Sequence, residues 1–178
     1  MIDLSLYCAP FEAFLTKSIQ EFVEEHPDVE VSCIGFYCIP SSSDGLISFD
    51  TTNHSTENVA KWQHKGDAWY GEDEFGRYCN SPADFAFPHY RVFMFEGLQD
   101  PDAAYKPGEI EIIQAVTGER YKWDCDEEGD YGLCYAVWNF LLKDLMKNFQ
   151  GFGQLKRAPI FRLGGRMHDS DIVEFWKC

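Results

Sequence analysis

The sequence predicts an α+β domain: one unit spanning residues 1–178, built on a mixed or mostly antiparallel sheet with packed helices. Three observations predict it. Two long segments carry apolar side chains at helical spacing. Several short runs are rich in branched and aromatic residues, some alternating with polar ones. The two kinds of segment do not follow the strict strand–helix alternation of a doubly wound fold. A chain of 178 residues, 45% apolar and 16% aromatic, can bury a real core and does not have the composition of a disordered chain.

The first helix is expected over residues 10–26. Pro10 suits a first helical position, Phe11, Phe14, Leu15, Ile19, Phe22 and Val23 form one stripe, and Pro27 stops it. Val29 to Ile39 alternates and then turns apolar on both faces, as a central strand does. The polar turn 40–45 leads into Leu46 to Thr51, giving a hairpin. Asn53 to Lys65 reads as a polar helix that buries Val59 and Trp62, capped by a residue among 52–55. Residues 66–88 are irregular. Tyr90 to Phe95 and Glu109 to Val116 read as strands. The acidic run Asp124 to Asp130 leads into a helix whose face carries Cys134, Val137, Trp138, Leu141, Leu142, Leu145, Met146 and Phe149. Pro159 to Leu163 is a strand, Gly164-Gly165-Arg166 a turn, and Ile172, Val173, Phe175 and Trp176 a short final helix capped by Asp169 or Ser170.

Charge is the most informative total. Residues 132–178 hold seven bases and four acids, net +3, so residues 1–131 carry −18 of the overall −15. Such a field repels nucleic acid and anionic lipid and attracts basic surfaces. The longest apolar-rich run, Tyr135 to Met146, is interrupted by Asn139, Lys143 and Asp144, and no stretch approaches the ~20 apolar residues of a membrane span. Met1-Ile2-Asp3-Leu4 lacks the basic start of a secretory signal. Seven cysteines, an odd count, fit buried small hydrophobes better than a disulfide framework. A cytosolic protein is expected.

Chemical signatures are few. Asp124, Asp126 and Glu128 occupy positions 1, 3 and 5 of a calcium-type loop with Gly129 at position 6, but position 12, where a bidentate carboxylate is needed, is Tyr135. No two histidines show helical metal spacing, and Cys33 and Cys38 fall on opposite faces of a strand. There is no nucleophile elbow and no phosphate loop. The expectation is therefore no metal, no cofactor and no catalytic residue. Aromatic anchors set among acids suit a basic protein partner, the acids steering and the aromatics supplying buried area. On that ground the expected contact residues are Asp67, Trp69, Tyr70, Glu72, Asp73 and Glu74, together with Asp124, Asp126, Glu127, Glu128 and Asp130. The alternatives are a small hydrolase-type enzyme whose carboxylates converge in a cleft, with Asp84, His168, Asp169 or Asp171, and a regulatory module for a small ligand.

The strand Ser32-Cys33-Ile34-Gly35-Phe36-Tyr37-Cys38, the segment Leu46 to Asn53, the stretch Ser81-Pro82-Ala83-Asp84-Phe85-Ala86, and Ile160 to Leu163 followed by Asp169-Ser170-Asp171 resemble the DUF4303 family of small bacterial proteins. Phe85 stands where the family pattern has Trp, and Gly164 to His168 look inserted. Proteins of this kind resemble immunity proteins of polymorphic and contact-dependent growth inhibition toxin systems. The resemblance implies a cytosolic inhibitor that binds one toxin domain, often a nuclease, and it offers no catalytic residues to carry over; the partner expected here is a basic toxin domain, a nuclease, and the chain is expected to be a monomer.

Overall fold

The computed structural model describes residues 1–39, 44–63, 79–97, 108–125, 137–167 and 173–178. A short strand β1 (Ile2–Asp3) precedes helix α1 (Ser5–Glu25). The hairpin β2 (Val31–Ile39) and β3 (Asp44–Asp50) follows, then α2 (Thr52–Gln63), a 3-10 turn (Pro82–Asp84) and β4 (Phe87–Met94). Next come β5 (Gly108–Ile113) and β6 (Arg120–Cys125). A π-helical turn (Trp138–Leu142) runs into α3 (Lys143–Asn148), and β7 (Arg157–Met167) and β8 (Val173–Lys177) complete the order.

The strands form two mixed sheets, one ordered β4-β3-β2-β7-β8 and one ordered β1-β5-β6. In the larger sheet β2 pairs antiparallel with β3 and parallel with β7. The expected α+β class with a mixed sheet is what forms. Because side chains alternate along a strand, Ile34, Phe36, Ile47, Phe49 and Leu163 share one face. Helix α1 covers it with Phe11, Leu15, Ile19 and Phe22, all buried. The Phe22 ring stacks on Phe49 at 4.1 Å, and Phe11 meets Phe36 and Phe93 edge-on at 5.2 and 5.4 Å. Such ring pairs add to the area they bury. Trp138, Leu141, Leu142, Leu145 and Met146 join the same core, and Leu4 and Ile112 tie the smaller sheet to it. The opposite face of the large sheet carries a second, smaller cluster: Cys33, Val59, Cys79 and Phe85. Cys33 and Cys38 do lie on opposite faces, one in each cluster.

Several expectations need correction. Helix α1 starts at Ser5, not at residue 10, and Pro10 lies inside it. The Asp3 carboxylate accepts from the Ser5 amide at 3.0 Å and so holds the first turn that Pro10 cannot start alone. The expected turn Gly164-Gly165-Arg166 is instead part of β7, toward its C-terminal end, running beside Gly35, Phe36 and Tyr37. Glycine serves close approach here: a Cβ on Gly165 would lie 2.5 Å from Trp138 and 2.6 Å from the Phe36 carbonyl oxygen. The expected last helix is strand β8, because pairing Arg166–Leu163 with Val173–Trp176 gives its branched and aromatic side chains a ladder. The cap proposed for that helix, Asp169 or Ser170, lies outside the described residues. Strand β6 was not expected at all. It claims Asp124 and Cys125, opposite Glu109 and Gly108, so the acidic run begins as a strand and not as a helix lead-in. Strand β4 starts three residues before Tyr90. The cap of α2 is Thr51, one residue before the expected range: its Oγ1 accepts from the His54 amide at 3.2 Å.

Candidate functional site

The smaller cluster surrounds the most polar interior of the described residues. Asp50 ends β3 and its side chain is fully buried. Its Oδ1 accepts from the Ala86 amide at 3.0 Å and lies 2.8 Å from His54 Nδ1. Its Oδ2, also buried, has no hydrogen-bond partner among the described residues. Burial pushes the Asp50 carboxyl above its ordinary value, and the Ala86 amide and His54 only partly oppose that. His54 sits in the first turn of α2 with its side chain 39% exposed, so the face of the imidazole away from Asp50 reaches solvent.

The same helix organises the next layer. Ser55 Oγ accepts from the Cys79 amide at 2.6 Å, and Asn58 Nδ2 donates to the Asp84 carbonyl at 2.9 Å. Arg162, on β7 beside Cys33, is completely buried. It donates through one guanidinium nitrogen to Asn80 Oδ1 at 2.8 Å and through the other to the Cys79 carbonyl at 3.4 Å. Its guanidinium carbon lies 5.7 Å from the centre of the Phe175 ring. The close approach of the 79–86 segment requires Gly35, where a Cβ would stand 2.7 Å from both Pro82 and Phe85. Cys33 lies among these groups, but burial pushes its thiol up to about 12, which keeps it protonated and unreactive at neutral pH. The arrangement is thus a carboxylate–imidazole pair with a partly exposed imidazole, pinned to a buried polar scaffold. Asp50 and His54 are the residue types of an acid–base pair, and the Cys33 thiol near them is protonated.

A second feature lies where α1 ends. Glu21, Glu24, Glu25, Asp28 and Glu30 fall within ten residues, and the last turn of the helix holds no base. Carboxylates there oppose the negative end of the helix dipole, so helix stability does not explain them. Arg91 of β4 reaches Glu21 at 2.8 Å and Glu25 at 3.1 Å, and Tyr90 donates to Glu25 at 2.7 Å. Glu24, Asp28 and Glu30 are exposed.

Of the residues expected to meet a partner, Asp67, Trp69, Tyr70, Glu72, Asp73, Glu74, Asp126, Glu127, Glu128 and Asp130 lie outside the described residues. Asp124 is in β6, paired with Glu109. His168, Asp169 and Asp171 also lie outside them, while Asp84 ends the 3-10 turn. Sequence reasoning missed Asp50, His54 and Arg162. The only local sign was Asp50 and His54 standing four apart across the strand-to-helix junction. Nothing local marked Arg162, whose hydrogen bonds to Asn80 and Cys79 span more than eighty residues. Among the described residues no group of three or more metal-type ligands gathers, and no helix is long and apolar enough to cross a membrane. No family model matches the chain, and neither does any curated protein or any solved structure.

Proposed function

We propose that this chain is a cytosolic immunity protein that binds a basic toxin domain, a nuclease, and neutralises it by steric and electrostatic occlusion. The observation that carries the reading is the charge asymmetry: −18 over residues 1–131 within a chain of net −15. A nuclease needs a basic surface to hold nucleic acid, and a dense negative surface competes for it. The carboxylates at the end of α1 support the reading, since they sit where the helix dipole disfavours them and Glu24, Glu25, Asp28 and Glu30 are exposed. The acidic-aromatic segment 67–78 and the run 124–130 supply the rest of the proposed contact surface. The test is to mix the purified chain with the toxin domain encoded beside it and follow association across a salt titration. Association should slow steeply with salt, by up to ~10 to 10³-fold between low and high ionic strength. Replacing Glu72, Asp73 and Glu74 together by Ser should slow it further at low salt. Indifference to both changes would rule out the electrostatic mechanism.

The Asp50–His54 pair favours a second reading, an acid–base enzyme acting through His54. The two readings separate on one variant. His54→Ala would abolish turnover in an enzyme and would leave toxin neutralisation intact in an immunity protein.

A further inference from the structure

Strand β4 closes one side of the large sheet, and among the described residues no strand pairs with its outer side. An unpaired strand edge presents a row of backbone donors and acceptors, and proteins ordinarily guard such edges with charges, proline, bulges or short length. The other three edges are guarded. Strand β1 has two residues, β6 carries Arg120, Lys122 and Asp124, and β8 is five residues long with Glu174 and Lys177. Strand β4 is guarded at its beginning alone, by Pro88 and by His89, which has a φ of 50°. From Tyr90 to Met94 it has one charged residue, Arg91, whose guanidinium is tied to Glu21 and Glu25 of α1 and donates to the Tyr90 carbonyl, while the Met94 carbonyl accepts from the Glu96 amide. In place of guards it exposes Val92 and Met94, 50% and 55% accessible, two residues apart and so on one face. Around this stretch stand four carboxylates: Glu21 and Glu25 on α1, Asp44 opposite Met94, and Glu96 just beyond the strand.

We propose that the outer edge of β4, from Tyr90 to Met94, receives an extended, basic segment of the partner as an added strand. Backbone hydrogen bonds would supply the register, apolar side chains of the guest would cover Val92 and Met94, and its lysines or arginines would meet the surrounding carboxylates. A second copy of this chain is the poorer guest, because it would bring the same carboxylates against these. The proposal rests on the reading of a basic partner but names where that partner docks.

The test uses a short synthetic peptide alternating lysine and valine, so it does not depend on any toxin. Hydrogen exchange of the full chain with this peptide should slow at backbone amides within 90–94. The double variant Val92→Lys, Met94→Lys should weaken peptide binding by roughly tenfold or more, and Val116→Lys, at another exposed apolar position, should not. If the double variant fails to fold, the exchange measurement on the unaltered chain decides. Absent peptide binding, or binding with no slowing at 90–94, overturns the docking edge. Neither result touches the immunity reading, which stands or falls on the toxin titration.

Discussion

Asp50 exchanges bulk water for two hydrogen-bonding neighbours and leaves one oxygen without a partner among the described residues. Its folded pKa lies above the ordinary 3.8, with burial the largest cause. For a carboxyl raised on folding, the native state binds the proton more tightly, so its contribution is fully present below the unfolded pKa and is lost as pH rises through the folded one. Asp50→Asn, which keeps an acceptor and removes the charge, should therefore gain stability relative to the parent chain as pH rises from about 3 to 7. Urea unfolding at several pH values checks the sign, and a gain that shrinks with pH would contradict it. Glycine at 165 makes a sharper prediction. Its added Cβ would meet a backbone carbonyl as well as Trp138, and a carbonyl locked in a central strand cannot step aside. Gly165→Ala should destabilise the fold by about 1–3 kcal/mol, read by the same unfolding experiment.

At the scale of single elements, α1 carries an internal proline and an acidic end. Pro10 removes the donor that would bond the Leu6 carbonyl, and Leu6 is exposed, so water is available to satisfy that carbonyl. Pro10→Ala restores the bond at some cost in unfolded-state entropy, and should raise stability by about 1–3 kcal/mol. Glu24→Lys places a cation at the negative end of the dipole and should raise stability by ~0.3–1 kcal/mol at low salt while slowing association with a basic partner. Stability and binding moving in opposite directions would be the mark of a carboxylate kept for its contacts. Elements were legible in sequence where one face met one core. The stripe Phe11–Leu15–Ile19–Phe22 gave α1, and the alternation through Val31 and Cys33 gave β2. Strand β8 was not legible, because Val173-Glu174-Phe175-Trp176 is apolar on both faces and only its pairing with β7 makes it extended. Strand β6 is legible in Tyr121 and Trp123 alternating with Arg120, Lys122 and Asp124, but the acids that follow it equally suit a helix start. Of the candidate site, the aromatic-acidic segment was visible as composition. The Asp50–His54–Arg162 neighbourhood was not, since it is assembled from β3, α2 and β7.

For the molecule as a whole, the acidic majority of the chain and its mildly basic last quarter should make association with a basic partner depend on salt. The parallel pairing of β2 with β7 defines another property. Val31 and Arg157, register partners in the centre of the large sheet, are 126 positions apart in the chain. Translation proceeds at ≈ 5–20 residues per second, so the earlier strand waits roughly 6 to 25 seconds before its neighbour is synthesised. During that interval the nascent hairpin has an open flank where the sheet will later be continuous, and closing so long a loop is slow in itself. The large sheet is consequently completed only once β7 has been made, and the half-made chain is a natural client for a chaperone that shields bare strands.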